Sequence, residues 1–131
     1  QAISKALDLE KRVSILTERA EVTGQSNRYR GCYDLATARA VSSPETVAEY
    51  LIPLLNVQGE ALIYRGKWDM VDEKKFNKVL KVLKAEIRDI QSINLPEGKG
   101  IRHAIRVTSF EQCPRVYPRK IGLPSKKPLG S

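Results

Sequence analysis

Strand-like and helix-like stretches alternate along residues 1–95. This alternation constrains the fold more than any other feature, because it predicts a parallel sheet with helices on its faces. Residues 1–9 carry apolar side chains at helical spacing, without a clear cap. Val13-Ser14-Ile15-Leu16 alternates and predicts a short strand. Residues 19–29 read as a short helix or loop, and Tyr33 to Thr37 as a second strand. Ser43-Pro44-Glu45 marks a helix start: Ser43 caps, Pro44 suits the first turn, and Glu45 faces the positive end of the dipole. That helix is expected to run to about Leu55, with a turn over Asn56 to Gly59. Glu60 to Tyr64 is the third strand.

The clearest helix spans Val71 to Asp89. Phe76, Val79, Leu80, Val82, Leu83 and Ile87 form its apolar face, and a row of lysines forms a solvated one. Ile90 to Leu95 and Ile101 to Phe110 predict two strands joined by a turn at residues 96–100, close enough to pair antiparallel. From Cys113 the chain holds four of its seven prolines and is expected to be an extended tail ordered by contact with the body. Residues 1–111 then form the α/β part of the domain, and residues 112–131 a basic, Pro-rich tail packed on or near it.

Charge is unevenly placed. Residues 1–98 carry 15 Lys+Arg against 14 Asp+Glu, whereas residues 99–131 carry 8 Lys+Arg against one acid, Glu111. A polyanionic partner follows from that asymmetry. The longest apolar run, Tyr50 to Leu55, is far short of the about 20 residues a membrane span needs. The first residues read as an amphipathic helix rather than a secretion signal. Two cysteines make no disulfide framework, and a single histidine argues against a His-based metal site. A reducing, cytoplasmic setting fits.

No phosphate-binding loop is present: Gly98 and Gly100 precede a strand rather than a helix. No Ser/His/Asp or Cys/His nucleophile set is evident, and His103 within a strand reads as structural. Ligands of open α/β sheets bind outside the carboxyl ends of the strands. That rule selects Arg19-Ala20-Glu21, Ala38-Arg39-Ala40 and Arg65-Gly66, so that an acid and two arginines are expected to converge on one crevice. Trp68, just after, either stacks on a base or anchors its loop. Asp34 reads as structural.

Tyr33-Asp34-Leu35, a helix ending Pro53-Leu54-Leu55 and Gln58-Gly59-Glu60-Ala61-Leu62 resemble the second half of a class I methyltransferase. A fuller set spans the whole chain: Arg19-Ala20-Glu21, Thr37-Ala38-Arg39-Ala40-Val41, Arg65-Gly66, Arg102-His103, and the run from Tyr117-Pro118-Arg119-Lys120 to Lys126-Lys127-Pro128-Leu129. Together these resemble the small-subunit ribosomal RNA guanine-N7 methyltransferase family, also called glucose-inhibited division protein B. The closing run is the most specific part.

The resemblance implies a Rossmann-like class I methyltransferase sheet, here incomplete: the later strands and helices, ending in an antiparallel strand pair. It implies S-adenosylmethionine as methyl donor and guanine N7 of 16S rRNA, naked or in the small ribosomal subunit, as acceptor. Ala20 and Glu21 match positions that contact the adenosyl part, and Arg39 a further cofactor position. Arg65, Arg102, Arg106, Arg119, Lys120, Lys126 and Lys127 are the expected RNA contacts. The family usually has Lys-Gly where this chain has Arg65-Gly66, so a compact ammonium becomes a planar fork. The family's Gly-rich loop and the acid that follows it are expected upstream of Gln1. Two strands that belong between the Val13–Leu16 and Tyr33–Thr37 strands are expected there too. On that reading the fragment alone is inactive and does not hold its first strand in a sheet, and the complete protein is a monomer without metal. A non-catalytic RNA-binding module that keeps the basic tail is the alternative, and a methyltransferase of another RNA a third reading.

Overall fold

The computed structural model describes residues 2–131. Its elements in chain order are α1 (Ala2–Ala6), α2 (Ala20–Gln25), β1 (Tyr33–Ala38), α3 (Pro44–Leu51), β2 (Leu55–Arg65), α4 (Met70–Val82), β3 (Ala85–Asn94), β4 (Ile101–Ser109) and α5 (Leu123–Lys126), with single 3-10 turns at Ile52–Leu54 and Pro96–Gly98. The strands form one open sheet in the order β1-β2-β4-β3. β1 and β2 are parallel, and β4 runs antiparallel to both β2 and β3. This mixed α/β sheet is consistent with part of a Rossmann-like methyltransferase fold, including the expected antiparallel pair at its end.

One face of the sheet is covered. Ala36, Ala61, Ile63, Ile105 and Val107 alternate along their strands and pack against Val47, Ala48 and Leu51 of α3 and Phe76, Val79 and Leu80 of α4. Alternation at period two puts the intervening residues on the other face. There Leu35 is 60% and Tyr64 47% exposed. Sheets with parallel strands are ordinarily buried on both faces, so this face and the free edge of β1 are laid out for further cover.

The caps explain the helix starts. Ser43 accepts from the Thr46 amide at the head of α3, with Pro44 in the first turn, as expected. Asp69 and Asp72 form a capping box on α4. Gly24 is in α2 because a Cβ there would lie 2.7 Å from Pro118 Cγ.

Four expectations change. Val13–Leu16 forms no strand: its apolar side chains are 43–49% exposed and no described strand pairs with it. The long helix ends at Val82, not Asp89. Leu83 leaves helical geometry and Lys84 takes φ 64°, which turns the chain into β3. Ala85, Ile87 and Ile90 then face the core from a strand, so helical periodicity over-reached by one element. The turn at Asn56–Gly59 is instead the irregular start of β2. Gln58 has φ 69°, and the β1–β2 register shifts between Tyr33 and Leu35. The first helix is only Ala2–Ala6, and Gln1 lies outside the described residues.

Candidate active site

The carboxyl ends of β1 and β2 open into a crevice of about 720 Å³. Its floor is apolar, with Ala38, Val41, Val47, Ile63 and Leu95, and Tyr64 beside them. Three arginines line it, Arg39, Arg65 and Arg102, and no acid does. Arg39 leaves β1 into a tight corner in which Ala40 has φ 54°, a left-handed value that costs a residue with a Cβ about 1 kcal/mol or more. Arg65 ends β2. Its Nη1 reaches the Ser42 carbonyl at 3.4 Å, while its Nε is buried without a partner. Arg102 stands on β4, and among the described residues its guanidinium bonds its neighbour's carbonyl alone, Ile101 O at 2.9 Å.

The wall after Arg65 is held from behind. His103 Nδ1 lies 2.6 Å from the Gly66 carbonyl, which requires the tautomer protonated at Nδ1 or the imidazolium. Trp68 stacks edge-on against Phe76 with centroids 5.6 Å apart. Trp68 is therefore the loop's anchor in the core. Asp34 accepts from Asn56 Nδ2 at 2.6 Å, across the irregular part of the β1–β2 pair, and is structural as expected.

Glu21 does not join Arg39 and Arg65 in that crevice. It lines a separate, wider and mainly apolar cavity of about 1220 Å³ between α2 and the C-terminal segment, with Val22, Pro118, Ile121 and Leu123. Glu21 is 3% exposed. Its Oε1 accepts from the Gly122 amide at 2.8 Å, the Tyr50 hydroxyl at 3.4 Å and Arg19 Nη2 at 3.5 Å. Burial pushes its carboxyl up, but the Gly122 amide, its own backbone amide and Arg19 outweigh this and hold it below the ordinary value. Ala20 is exposed at the start of α2.

The remaining expected RNA contacts divide. Arg106 is bound at 2.9 and 3.0 Å to both oxygens of Glu60, which also takes Arg88. Arg119 forks onto Glu49, with Nη2 2.7 Å from Oε2 and Nε 2.9 Å from Oε1, and Glu49 is wholly buried. Both guanidiniums are thus paired with acids of the fold. Lys120, Lys126 and Lys127 are exposed, with no acid partner among the described residues.

The residues that seat the C-terminal segment were not legible in the sequence. Arg30 donates to four backbone carbonyls, those of Gly24, Cys113, Pro114 and Tyr117. Thr46 Oγ1 donates to Pro124 O at 2.9 Å and Gln25 Nε2 to Pro118 O at 2.6 Å. One signal was available: Glu49 is an acid within the apolar run Val47-Ala48-Glu49-Tyr50-Leu51, and a buried carboxylate demands a partner. Its partner lies 70 residues away.

Among the described residues, no group of three or more His, Cys, Asp or Glu could hold a metal ion. No described helix is long and apolar enough to cross a membrane.

A family model described as rRNA small subunit methyltransferase G matches residues 1–103. A protein of Synechococcus sp. (strain CC9311) named ribosomal RNA small subunit methyltransferase G is 51% identical over 131 residues, all of this chain and 52% of the relative. One of Prochlorococcus marinus (strain MIT 9303) with the same name is 47% identical over 131 residues, all of this chain and 53% of the relative. The chain thus spans about half the length of the curated relatives it matches. With the family match covering most of its residues, the chain belongs to the rRNA small subunit methyltransferase G family.

Proposed function

We propose that this chain forms the acceptor side, and part of the donor side, of a cytoplasmic enzyme that transfers a methyl group from S-adenosylmethionine to N7 of a guanine in 16S rRNA. The observation that carries the reading is the acid-free crevice with Arg39, Arg65 and Arg102 around an apolar floor. Guanine N7 already presents a lone pair, so the acceptor needs no general base. The protein's task is to align N7 in line with the methyl–sulfur bond and to screen the flanking phosphates. A site rich in arginine and without a buried histidine or reactive cysteine suits that task.

The donor, when bound, supplies an electrophilic methyl on a sulfonium. This chain's residues fit such a group. Val22, Ile121 and Leu123 offer apolar contact for a flat purine beside the carboxylate-bearing first turn of α2. Arg39, in the other crevice, is exposed with no acid partner among the described residues, so its fork can receive the carboxylate of a donor that reaches from one cavity to the other. Arg65 and Arg102 are the phosphate-holding groups, and the unpartnered Arg65 Nε is a donor awaiting an acceptor. Lys120, Lys126 and Lys127 extend the grip along the RNA.

The test uses cells with and without the gene. Their 16S rRNA is cleaved chemically at N7-methylguanine, and loss of one cleavage site on deletion supports the reading. Complementation with Arg65→Ala/Arg102→Ala should leave most of that site unmethylated. An unchanged cleavage pattern in the deletion strain would sink it. The exposed tail lysines favour a second reading, a non-catalytic RNA-binding module. That reading requires rRNA binding by the full-length protein with no methyl transfer.

A further inference from the structure

α2 carries Ala20 and Glu21, yet little in its own sequence holds it. It has six residues, and its N-cap, Arg19, makes no side-chain cap bond. A helix this short has negligible stability by itself. Arg30 holds its Gly24 carbonyl and Tyr50 reaches Glu21, and the C-terminal segment adds three further contacts. Glu21 takes the Gly122 amide, Gln25 donates to Pro118 O, and Gly24 lies against the Pro118 ring.

The segment is in turn fixed to α3. Arg119 gives Glu49 its backbone amide at 2.8 Å as well as its guanidinium. The Tyr50 hydroxyl touches both Glu21 Oε1 and Ser125 Oγ, at 3.4 and 3.1 Å, and so joins all three pieces. The cavity beside Glu21 has α2 for one wall and residues 115–123 for the other.

We propose that residues 113–131 are a structural wall of the donor site, and that Glu49 and Tyr50 are positioning residues that act on the donor through that wall and Glu21. This rests on the donor side lying at α2, as proposed above. The Lys126 and Lys127 side chains are exposed, and Lys127 joins the anchor only through its carbonyl, which accepts from Arg119 Nη2 at 2.8 Å, so their ammonium groups are left for RNA. The segment thereby belongs to donor binding first.

The experiment compares the full-length protein with its Glu49→Gln and Tyr50→Phe variants. Glutamine keeps the volume and an acceptor for the Arg119 amide but removes the charge pair. The hydroxyl loss in Tyr50→Phe is milder and guards against a variant that fails to fold. Calorimetry with S-adenosylhomocysteine should show Kd rising at least tenfold for Glu49→Gln and at least threefold for Tyr50→Phe. Affinity for a 16S rRNA fragment without donor should stay within threefold. In turnover, donor KM should rise while kcat at saturating donor holds, a split that general destabilisation does not produce. Donor affinity within twofold of wild type in both variants overturns the proposal. A wild-type protein that binds no S-adenosylhomocysteine overturns the proposed function as well, so the two failures are told apart.

Discussion

Replacing Arg30 tests the seating of the C-terminal segment most directly. One guanidinium donates Nη1 to Gly24 O at 2.9 Å and Tyr117 O at 2.5 Å, and Nη2 to Cys113 O at 2.6 Å and Pro114 O at 2.9 Å. Hydrogen bonds to charged groups contribute about 1.5–3 kcal/mol each. The four are not additive, because a single charge is desolvated once and the released carbonyls are only partly buried, so water reaches some of them. About 3 kcal/mol is the reasoned loss for Arg30→Met, which keeps the apolar stem. That is a large share of the roughly 5–15 kcal/mol typical of a whole domain. Urea unfolding followed by Trp68 fluorescence is the assay. With a slope of about 1–3 kcal/mol per molar, the midpoint should fall by about 1–3 M. Arg30→Lys should recover less than half, since an ammonium cannot reach four carbonyls from one planar fork. A loss under about 0.5 kcal/mol would refute the reasoning, because a single charged bond to one carbonyl already predicts more.

Three further outcomes follow from named groups. Glu21 is held below its ordinary value in the fold, so its contribution is present above the carboxylate range and lost as pH falls through its depressed folded value; Glu21→Gln should flatten the acid limb of a stability–pH curve. Burial pushes the Cys113 thiol up to about 11 while Cys32 is exposed, so a disulfide reagent near pH 8 should modify Cys32 quickly and Cys113 only in denaturant. Replacing Lys120, Lys126 and Lys127 together with glutamine should reduce the salt slope of rRNA binding by about 2–3, at about 0.7–0.9 per phosphate contact; an unchanged slope counts against their contact with RNA.

Local signals carried the fold well where they were strong. The Ser43-Pro44-Glu45 start, the α4 face of Phe76, Val79 and Leu80, and the paired strands at the end all rest on neighbours within a few residues. The errors share a physical origin. The α4 stripe continued through Leu83 and Ile87 because residues that face one core keep the helical phase by coincidence for a turn after the backbone has left it. A single left-handed residue, Lys84, ended the helix, and no glycine or proline announced it. Val13–Leu16 has a strand's sequence without a strand's partners. The strand-end rule placed Arg39 and Arg65 together correctly. It failed for Glu21, because the segment that claims this carboxylate lies 101 residues away in sequence.

Pairing also changes what the charge asymmetry means. Of the eight cations after residue 98, Lys99, Arg106 and Arg119 are bound to Glu97, Glu60 and Glu49, and Arg115 rests on Asn27. Four are left without a side-chain partner among the described residues: Arg102, Lys120, Lys126 and Lys127. Only Arg102 of these lines the crevice, where it meets Arg39 and Arg65 from the nearly neutral part of the chain. Several acids of that part are engaged away from the crevice: Glu21 by the Gly122 amide and Arg19, Glu45 by Lys75, Glu49 by Arg119. A polyanion responds to the local field rather than to segment totals. The attraction at the crevice is therefore set by acids drawn into the helix layer, which leave three arginines unopposed at the ends of β1, β2 and the start of β4. Removing a buried acid such as Glu49 releases Arg119 without adding a charge to the crevice, and so should alter the seating of the segment far more than the pull on RNA.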